Sequence, residues 1–179
     1  MASYIAFLRA INLGSSRRVK MDRLREVFVD LGFDNVRTYI ASGNVFFDSP
    51  SRSKAELTAK IEKRLEAEFG FAIPTMVRTI AEVEKAIARN SFRDVSVDKD
   101  TRLVVLFADG PVPKRALPIE SPKGDITIVD ATNSEIFVVM RIIGGRVPNP
   151  ATSLKKEYGV ETTARFAHTL EKIVAAAKK

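Results

Sequence analysis

The chain opens with a run of apolar residues, 4–13, in which both alternating sets of positions are largely hydrophobic. Such a run is typical of a central β-strand that is covered on both faces. Apolar side chains then recur at helical spacing between residues 21 and 31, and Gly32 stands where a glycine commonly ends a helix. The pattern therefore predicts a buried strand followed by an amphipathic helix.

The next stretch has the pattern of a hairpin, a helix and a strand. Residues 36–40 and 45–47 have strand character, and the Ser-Gly-Asn sequence at 42–44 is typical of a hairpin turn. Residues 53–56 have the spacing of a capping box and start a helix. Residues 73–80 supply a fourth strand. The resulting β-α-β-β-α-β order is the ferredoxin-like, or α–β plait, plan.

The later part of the chain repeats some of this plan. After a capped helix, a strand is predicted over residues 102–108, and a second hairpin over 125–129 and 135–142. Two helices are predicted to follow, over residues 151–158 and 163–177.

We therefore expect an α+β protein of two ferredoxin-like halves that pack as one body, with mixed or antiparallel sheets and helices. The N-terminal half would comprise residues 1–80. The C-terminal half, a partial repeat that ends in helices, would comprise residues 81–179. No linker or low-complexity segment separates them, which favours one body over two tethered domains.

Composition excludes several classes of site. The chain of 179 residues is 45% hydrophobic and contains no Cys and one His. A disulfide, a Cys nucleophile, a zinc–thiolate site and an iron–sulfur cluster are therefore excluded, and no metal or cofactor is predicted. The start lacks the regions of a signal peptide, and the apolar runs are far shorter than the roughly 20 residues of a membrane span. These features predict a cytoplasmic protein with no membrane partner.

The net charge of +7 is unevenly distributed along the chain. Eight basic and three acidic residues follow position 140, and the chain ends in Lys178 and Lys179. A surplus of this kind favours binding to phosphate groups or nucleic acid. It is also an ordinary property of a solvated basic helix, which is the simpler interpretation.

Three segments carry candidate chemistry. In the first, Arg9 lies late in the apolar run, and Asn12 and Gly14 lie at its end. An unpaired buried guanidinium is costly, so Arg9 must be paired or reach a cleft. Glycine allows backbone N–H groups to approach an anion. The alternative is a structural arginine beside a tight turn.

The other two segments contain short polar motifs. Ser42 and Asn44 line the same cleft if the hairpin turn lies near the end of the first strand; otherwise they serve the turn geometry alone. Thr163 is predicted to cap a helix whose first turn carries Arg165. The helix N–H groups, the dipole and the guanidinium would together hold an anion there, and an ordinary helix cap is the alternative.

Two of these motifs resemble a known family. The run LRAINLG at residues 8–14 and the run TYIASGNVFF at residues 38–47 together resemble the bacterial family catalogued as domain of unknown function 1697 (DUF1697). Residues 77–79 and the late Thr-x-Arg segment extend the similarity over essentially the whole chain. The resemblance implies a fold of two ferredoxin-like halves and no established activity.

The chain departs from the family pattern near its C-terminus. The family has Thr-Thr-Arg-Asn-Trp followed by a polar residue and Thr, whereas Phe166 and Ala167 stand here in place of the Asn and the Trp. If that Asn or Trp contacts a ligand in relatives, the ligand or its pose differs here. Arg165 is retained and is carried over as a candidate.

These observations support one leading hypothesis, a protein that binds a small anionic ligand, a phosphate or a carboxylate, in a cleft between the halves. The candidate ligand-binding residues are Arg9, Asn12, Gly14, Ser42, Asn44, Thr163 and Arg165. The motifs include no nucleophile–base pair, so no reaction is assigned and whether the protein is an enzyme is open. The alternatives are a nucleic-acid-binding protein that uses the basic C-terminal region and a structural or interaction module, monomeric or homodimeric.

Overall fold

The computed structural model describes residues 1–179 as an α+β protein with two antiparallel sheets and five helices. The strands are β1 Ala2–Leu8, β2 Asp34–Tyr39, β3 Asn44–Ser49, β4 Thr75–Thr79, β5 Thr101–Ala108, β6 Ile119–Glu120, β7 Ile126–Ala131, β8 Glu135–Arg141 and β9 Thr162–Phe166. The helices are α1 Met21–Asp30, α2 Lys54–Phe69, α3 Ile80–Ala88, α4 Pro150–Tyr158 and α5 Ala167–Ala177. The predicted α+β class is confirmed.

Internal contacts divide the chain into two units. The first comprises Met1–Glu84 together with Ile173–Lys179, and the second comprises Lys85–Lys172. The boundary along the chain therefore falls inside α3 and again inside α5.

The sheet of the first unit has the strand order β2-β3-β1-β4, and every neighbouring pair is antiparallel. β1 is therefore central, as its apolar pattern predicts. Ile5 and Phe7 on one face of this strand are buried, and so are Tyr4, Ala6 and Leu8 on the other. A strand with two buried faces tolerates few polar side chains, which explains the nearly continuous apolar run.

The core of the first unit includes one face of this sheet and both of its amphipathic helices, α1 and α2. Phe47 of β3 lies near its centre, with its ring centroid 5.4 Å from that of Tyr4, 5.5 Å from Phe28 and 4.5 Å from Phe33. The buried side chains that the helices contribute are Leu24, Val27, Phe28, Leu57, Ile61 and Leu65. Burial of each such side chain contributes roughly 1.5–3 kcal/mol, so these contacts are the main attachment of the helices to the sheet.

The sheet of the second unit has the strand order β6-β7-β8-β5-β9 and is also antiparallel throughout. Its core joins the central strands to α4. Val104 and Leu106 of β5, Val138 of β8, and Leu154 and Tyr158 of α4 belong to this cluster.

The predicted helix over residues 163–177 is wrong at its N-terminal end. Residues Thr162–Phe166 form β9, and α5 begins only at Ala167. Thr163 lies opposite Phe107 of β5, and Arg165 lies opposite Val105. Pairing with β5 supplies the backbone hydrogen bonds of this segment, and β-branched threonines suit a strand. Thr163 is therefore not a helix cap, and Arg165 does not lie in the first turn of a helix.

Gly43 generates a first testable prediction, because it combines a left-handed backbone with close packing. Its φ is +80°, and a Cβ atom there would lie 2.9 Å from both Leu8 Cβ and Ile11 Cδ1. We expect Gly43→Ala to lower the free energy of unfolding by about 3 kcal/mol, since backbone strain and overpacking add.

Gly32→Ala is the matched control. Gly32 has the same φ of +80°, but nothing lies within 4 Å of the Cβ position. Gly32→Ala should lower the free energy of unfolding by only about 1 kcal/mol, which is the cost of a left-handed backbone at a residue other than glycine. Urea unfolding of both variants measures the difference, and equal losses would contradict the close approach at Gly43.

Candidate functional site

β1 ends at Leu8, not at Leu13 as the apolar pattern predicts. Ala10 and Asn12 have φ values of 52° and 56°, in the left-handed region that a strand does not accommodate. Residues 9–20 instead form a loop that leads to α1, which we call the arginine loop. Gly14 lies in its exposed part.

Asn12 holds the two ends of the arginine loop together. Its Oδ1 accepts a hydrogen bond from the Val19 N–H at 2.8 Å, and its Nδ2 donates to the Val19 carbonyl at 3.0 Å. The same Nδ2 donates to the Ala41 carbonyl, also at 3.0 Å. Both hydrogens of the carboxamide are thus engaged, so Asn12 fixes the loop and keeps one Oδ1 lone pair for any further contact.

The turn between β2 and β3, residues 40–43, lies beside the arginine loop. The Leu8 N–H donates to the Gly43 carbonyl at 2.8 Å, and Asn12 donates to Ala41 as described above. The predicted condition, that the hairpin turn lies near the end of the first strand, is therefore met.

Asn44 opens β3 directly after this turn and is fully buried. Its Nδ2 donates to the Tyr39 carbonyl and to Ser42 Oγ, each at 3.0 Å. These bonds close the β2–β3 turn, as an asparagine in this position commonly does. Ser42, Asn44 and Asn12 are thus brought to one end of the first sheet.

Left-handed backbone is concentrated in these two segments. Six residues other than glycine have a positive φ, and four of them, Ala10, Asn12, Arg17 and Ile40, lie in the arginine loop or the β2–β3 turn. Such conformations are uncommon for alanine and rarer still for β-branched isoleucine. Each costs of order 1–3 kcal/mol, and such residues cluster at functional sites.

The arginine loop is also strongly basic. The chain contains no acidic residue before Asp22, and the loop contains four cations, Arg9, Arg17, Arg18 and Lys20. Arg17 donates to the Ala72 carbonyl, and its guanidinium carbon lies 4.9 Å from the ring centroid of Phe71. Arg17 and Arg18 are not among the residues predicted from the motifs. The absence of acidic residues is the sequence signal that identifies them.

The loop ends at the N-terminus of α1. Lys20 occupies the N-cap position, and no side chain caps the helix. The first N–H groups of a helix lack intrahelical partners and carry the positive end of its dipole. Cations at this end repel the dipole. An anion there is stabilised by the N–H groups, the dipole and the guanidinium groups together.

Thr163 and Arg165 lie on β9 in the second unit. Arg165 is 7% exposed, and its Nη1 donates to Thr163 Oγ1 at 3.0 Å and to the Ala164 carbonyl at 2.8 Å. Burial lowers the pKa of Arg165 to about 10, so the guanidinium stays cationic at neutral pH. Ligand contacts by this pair stay a prediction.

A cavity of about 580 Å³ in the first unit contains none of the predicted site residues. It is lined in part by Arg37, Asp48 and Asn35. Asn35 donates to Asp48 at 2.6 Å, and this bond, with a second from Ser3, lowers the pKa of Asp48. Arg37 donates to the carbonyls of residues 176 and 177. Because these polar groups bond to the protein itself, the cavity is a weaker candidate than the arginine loop.

A serine–carboxylate pair occurs in the second unit. Ser91 Oγ donates to Asp130 at 2.6 Å, and the hydrogen bond from Arg89 lowers the pKa of Asp130. A carboxylate with a lowered pKa is a weak base at neutral pH, so it does not activate the serine. No group of three or more His, Cys, Asp or Glu side chains is placed to hold a metal ion. No helix has both the length and the apolar character needed to cross a membrane.

Comparison with known proteins identifies the family. The model of the family described as protein of unknown function (DUF1697) matches residues 1–137. The chain belongs to the DUF1697 family. The match includes the arginine loop and the β2–β3 turn of this DUF1697 protein but ends before β9.

The DUF1697 protein is similar over its full length to a solved bacterial structure. That structure is of the conserved bacterial protein SP0830 from Streptococcus pneumoniae, with a TM-score of 0.68 and 24% sequence identity. The alignment covers 100% of this chain and 99% of that chain. At this identity the likeness shows the fold alone. No curated protein matches the chain.

The hydrogen bonds of Asn12 generate a second prediction. We expect Asn12→Gly to lower the free energy of unfolding by about 2–3 kcal/mol, because three side-chain hydrogen bonds of roughly 1 kcal/mol each are lost. Glycine relieves the positive φ, so the loss does not come from backbone strain.

Asn90→Gly is the control, since exposed Asn90 has a similar φ of 51°. Its stability should change by no more than about 0.5 kcal/mol. Thermal and urea unfolding measure both variants. A change as small for Asn12→Gly as for Asn90→Gly would contradict the role of Asn12.

Proposed function

We propose that this DUF1697 protein binds a small anionic ligand, a phosphate or a carboxylate, at the arginine loop and the β2–β3 turn. The observation that carries the proposal is the position of Arg17, Arg18 and Lys20 directly before the N-terminus of α1, with no acidic residue before Asp22. The charges of these cations oppose the helix dipole, and exposed Asp22 in the first turn offsets only part of this effect. A bound anion relieves the repulsion.

The backbone of the arginine loop supports the same conclusion. Ala10, Asn12 and Gly14 have φ values of 52°, 56° and 66°, and the residues between them do not have positive φ. In a backbone nest, alternating residues of positive and negative φ turn N–H groups toward one side, where they hold an anion. The Asn12 N–H donates to the Arg17 carbonyl at 3.1 Å, so the N–H groups of residues 13–16 are the ones this proposal uses. Ser15 and Ser16 are exposed next to this segment and add hydroxyl donors.

The cations of the loop have different roles in this proposal. Arg17 is held by Ala72 and Phe71, so it presents a charge in a fixed place. Arg18 is exposed and is free to fold onto a ligand. Arg9, Ser42, Asn44, Thr163 and Arg165 stay candidate contacts on the sequence argument. No reaction is proposed, because no activated nucleophile accompanies the site.

We also propose that the first unit is a ferredoxin-like plait. Its elements from β1 to β4 follow the β-α-β-β-α-β order, and the strand order β2-β3-β1-β4 places the first and third strands at the centre. The division into a half of residues 1–80 and a partly repeated half of residues 81–179 belongs to the same proposal.

Nucleic-acid binding by the basic C-terminal region is the second candidate function, and contacts within each unit reduce the charge available for it. Lys155 forms an ion pair with Glu161, and Lys178 forms one with Glu84. Arg165 is buried. The other basic residues after position 140 are exposed, so these contacts remove only part of the positive charge that phosphate-backbone binding uses.

Arg18→Ala tests the proposed anion site. Inorganic phosphate should raise the melting temperature of the wild type, and Arg18→Ala should weaken phosphate binding about tenfold, since a charge-assisted hydrogen bond contributes roughly 1.5 kcal/mol. Calorimetric titration measures the affinity, which should fall as salt is added.

Arg52→Ala is the matched control, because Arg52 is also an exposed arginine of the first unit. It should bind phosphate as the wild type does. The proposal fails if neither phosphate nor small carboxylates bind, or if Arg52→Ala weakens binding as much as Arg18→Ala.

A further inference from the structure

Two large apolar side chains are exposed in the arginine loop and in the adjoining β2–β3 turn. Leu13 is 66% exposed and Ile40 is 49% exposed. Their chain neighbours Asn12 and Ala41 are joined by the hydrogen bond from Asn12 Nδ2 to the Ala41 carbonyl at 3.0 Å. Leu13 and Ile40 are therefore each one residue along the chain from this hydrogen bond.

The backbone of Ile40 makes this exposure more informative. Its φ is 50°, and a β-branched residue at positive φ is a genuine outlier. Glycine or asparagine would form the β2–β3 turn with less strain. The half-exposed side chain recovers little of this cost by burial in the folded chain. Contact of this side chain with a second molecule would offset the cost.

The size of the apolar surface limits what that molecule is. A specific protein partner covers about 800 Å² on each side of the interface, far more than two side chains supply. Two side chains are enough to cover one aromatic ring or a short acyl chain. Exposed Arg18 and Lys20, together with the Arg17 guanidinium, select an anion.

We propose that the ligand of the arginine loop is an organic anion that carries an apolar group of about the size of one ring. Its anionic group would lie against Arg17, Arg18 and the N-terminus of α1, and its apolar group against Leu13 and Ile40. The inference rests on the proposed anion-binding function and adds the chemical class of the ligand.

Two phosphonates test the inference, since they share one anionic group and differ in the apolar one. The wild type should bind phenylphosphonate about tenfold more tightly than methylphosphonate in calorimetric titrations, at a pH where both are dianions. Leu13→Ser and Ile40→Asn should each remove much of this preference, measured as the ratio of the two affinities in the same variant.

The variants are chosen so that misfolding does not produce the expected result. Leu13 is exposed, and asparagine tolerates the positive φ of position 40 better than isoleucine does. Ile40→Asn should therefore be at least as stable as the wild type. Val97→Ser is the control, because Val97 is 59% exposed in the second unit, and it should keep the preference for phenylphosphonate.

The outcomes separate this inference from the function on which it rests. If the two phosphonates bind equally, or if Leu13→Ser and Ile40→Asn keep the wild-type preference, the inference is wrong and anion binding stands. If neither phosphonate binds, both are wrong. Vesicles of phosphatidylserine and phosphatidylcholine form a further arm. The protein could bind these vesicles through Leu13 and Ile40 and show no preference for phenylphosphonate. That result would indicate a membrane surface in place of a small ligand and would overturn the inference.

Discussion

The three side-chain hydrogen bonds of Asn12 join Val19 and Ala41, and the geometry of the candidate site depends on them. They close the exposed segment of residues 13–18 into a loop and hold it against the β2–β3 turn. A free segment of this length would have to be ordered by its ligand at a cost in conformational entropy. With the loop already closed, the Arg17 guanidinium and the backbone N–H groups are in place before a ligand arrives, and only Arg18 has to fold onto it.

This arrangement is unfavourable in isolation, and the rest of the first unit stabilises it. Left-handed residues, clustered cations and a helix N-terminus without a side-chain cap each lower stability. Central β1 is paired on both sides, and Phe47 and its aromatic neighbours lie in the core that includes this sheet and both helices. Gly43 brings the turn into contact with Leu8 and Ile11. The strained loop and turn are therefore attached to a well-packed core, whose stability offsets the strain.

Local periodicity predicts most of the fold, because burial on one face determines α1, α2 and both hairpins. Local periodicity fails where pairing with a distant strand determines the conformation of a segment. The Thr-Thr-Ala-Arg segment resembles a helix start, but pairing with β5 makes it a strand, and no local signal encodes that partner. The apolar run also predicts a strand that continues past Leu8. Ile11 is apolar because it packs in the core from the loop, not because it belongs to the strand. The hairpin pattern predicts that Asn12, Ser42 and Asn44 lie at the same end of the sheet. The positive φ of Ile40 is not predictable from the sequence and is seen only in the backbone of the structure.

The most direct measurement of the central claim is a phosphate titration of the isotope-labelled protein, followed by the NMR signals of its backbone amides. Binding at the arginine loop predicts saturable shifts that are largest for residues 13–18 and for the first turn of α1, with smaller shifts in the β2–β3 turn. Shifts spread evenly over exposed lysines and arginines, or largest in the second unit, would contradict an anion site at this loop.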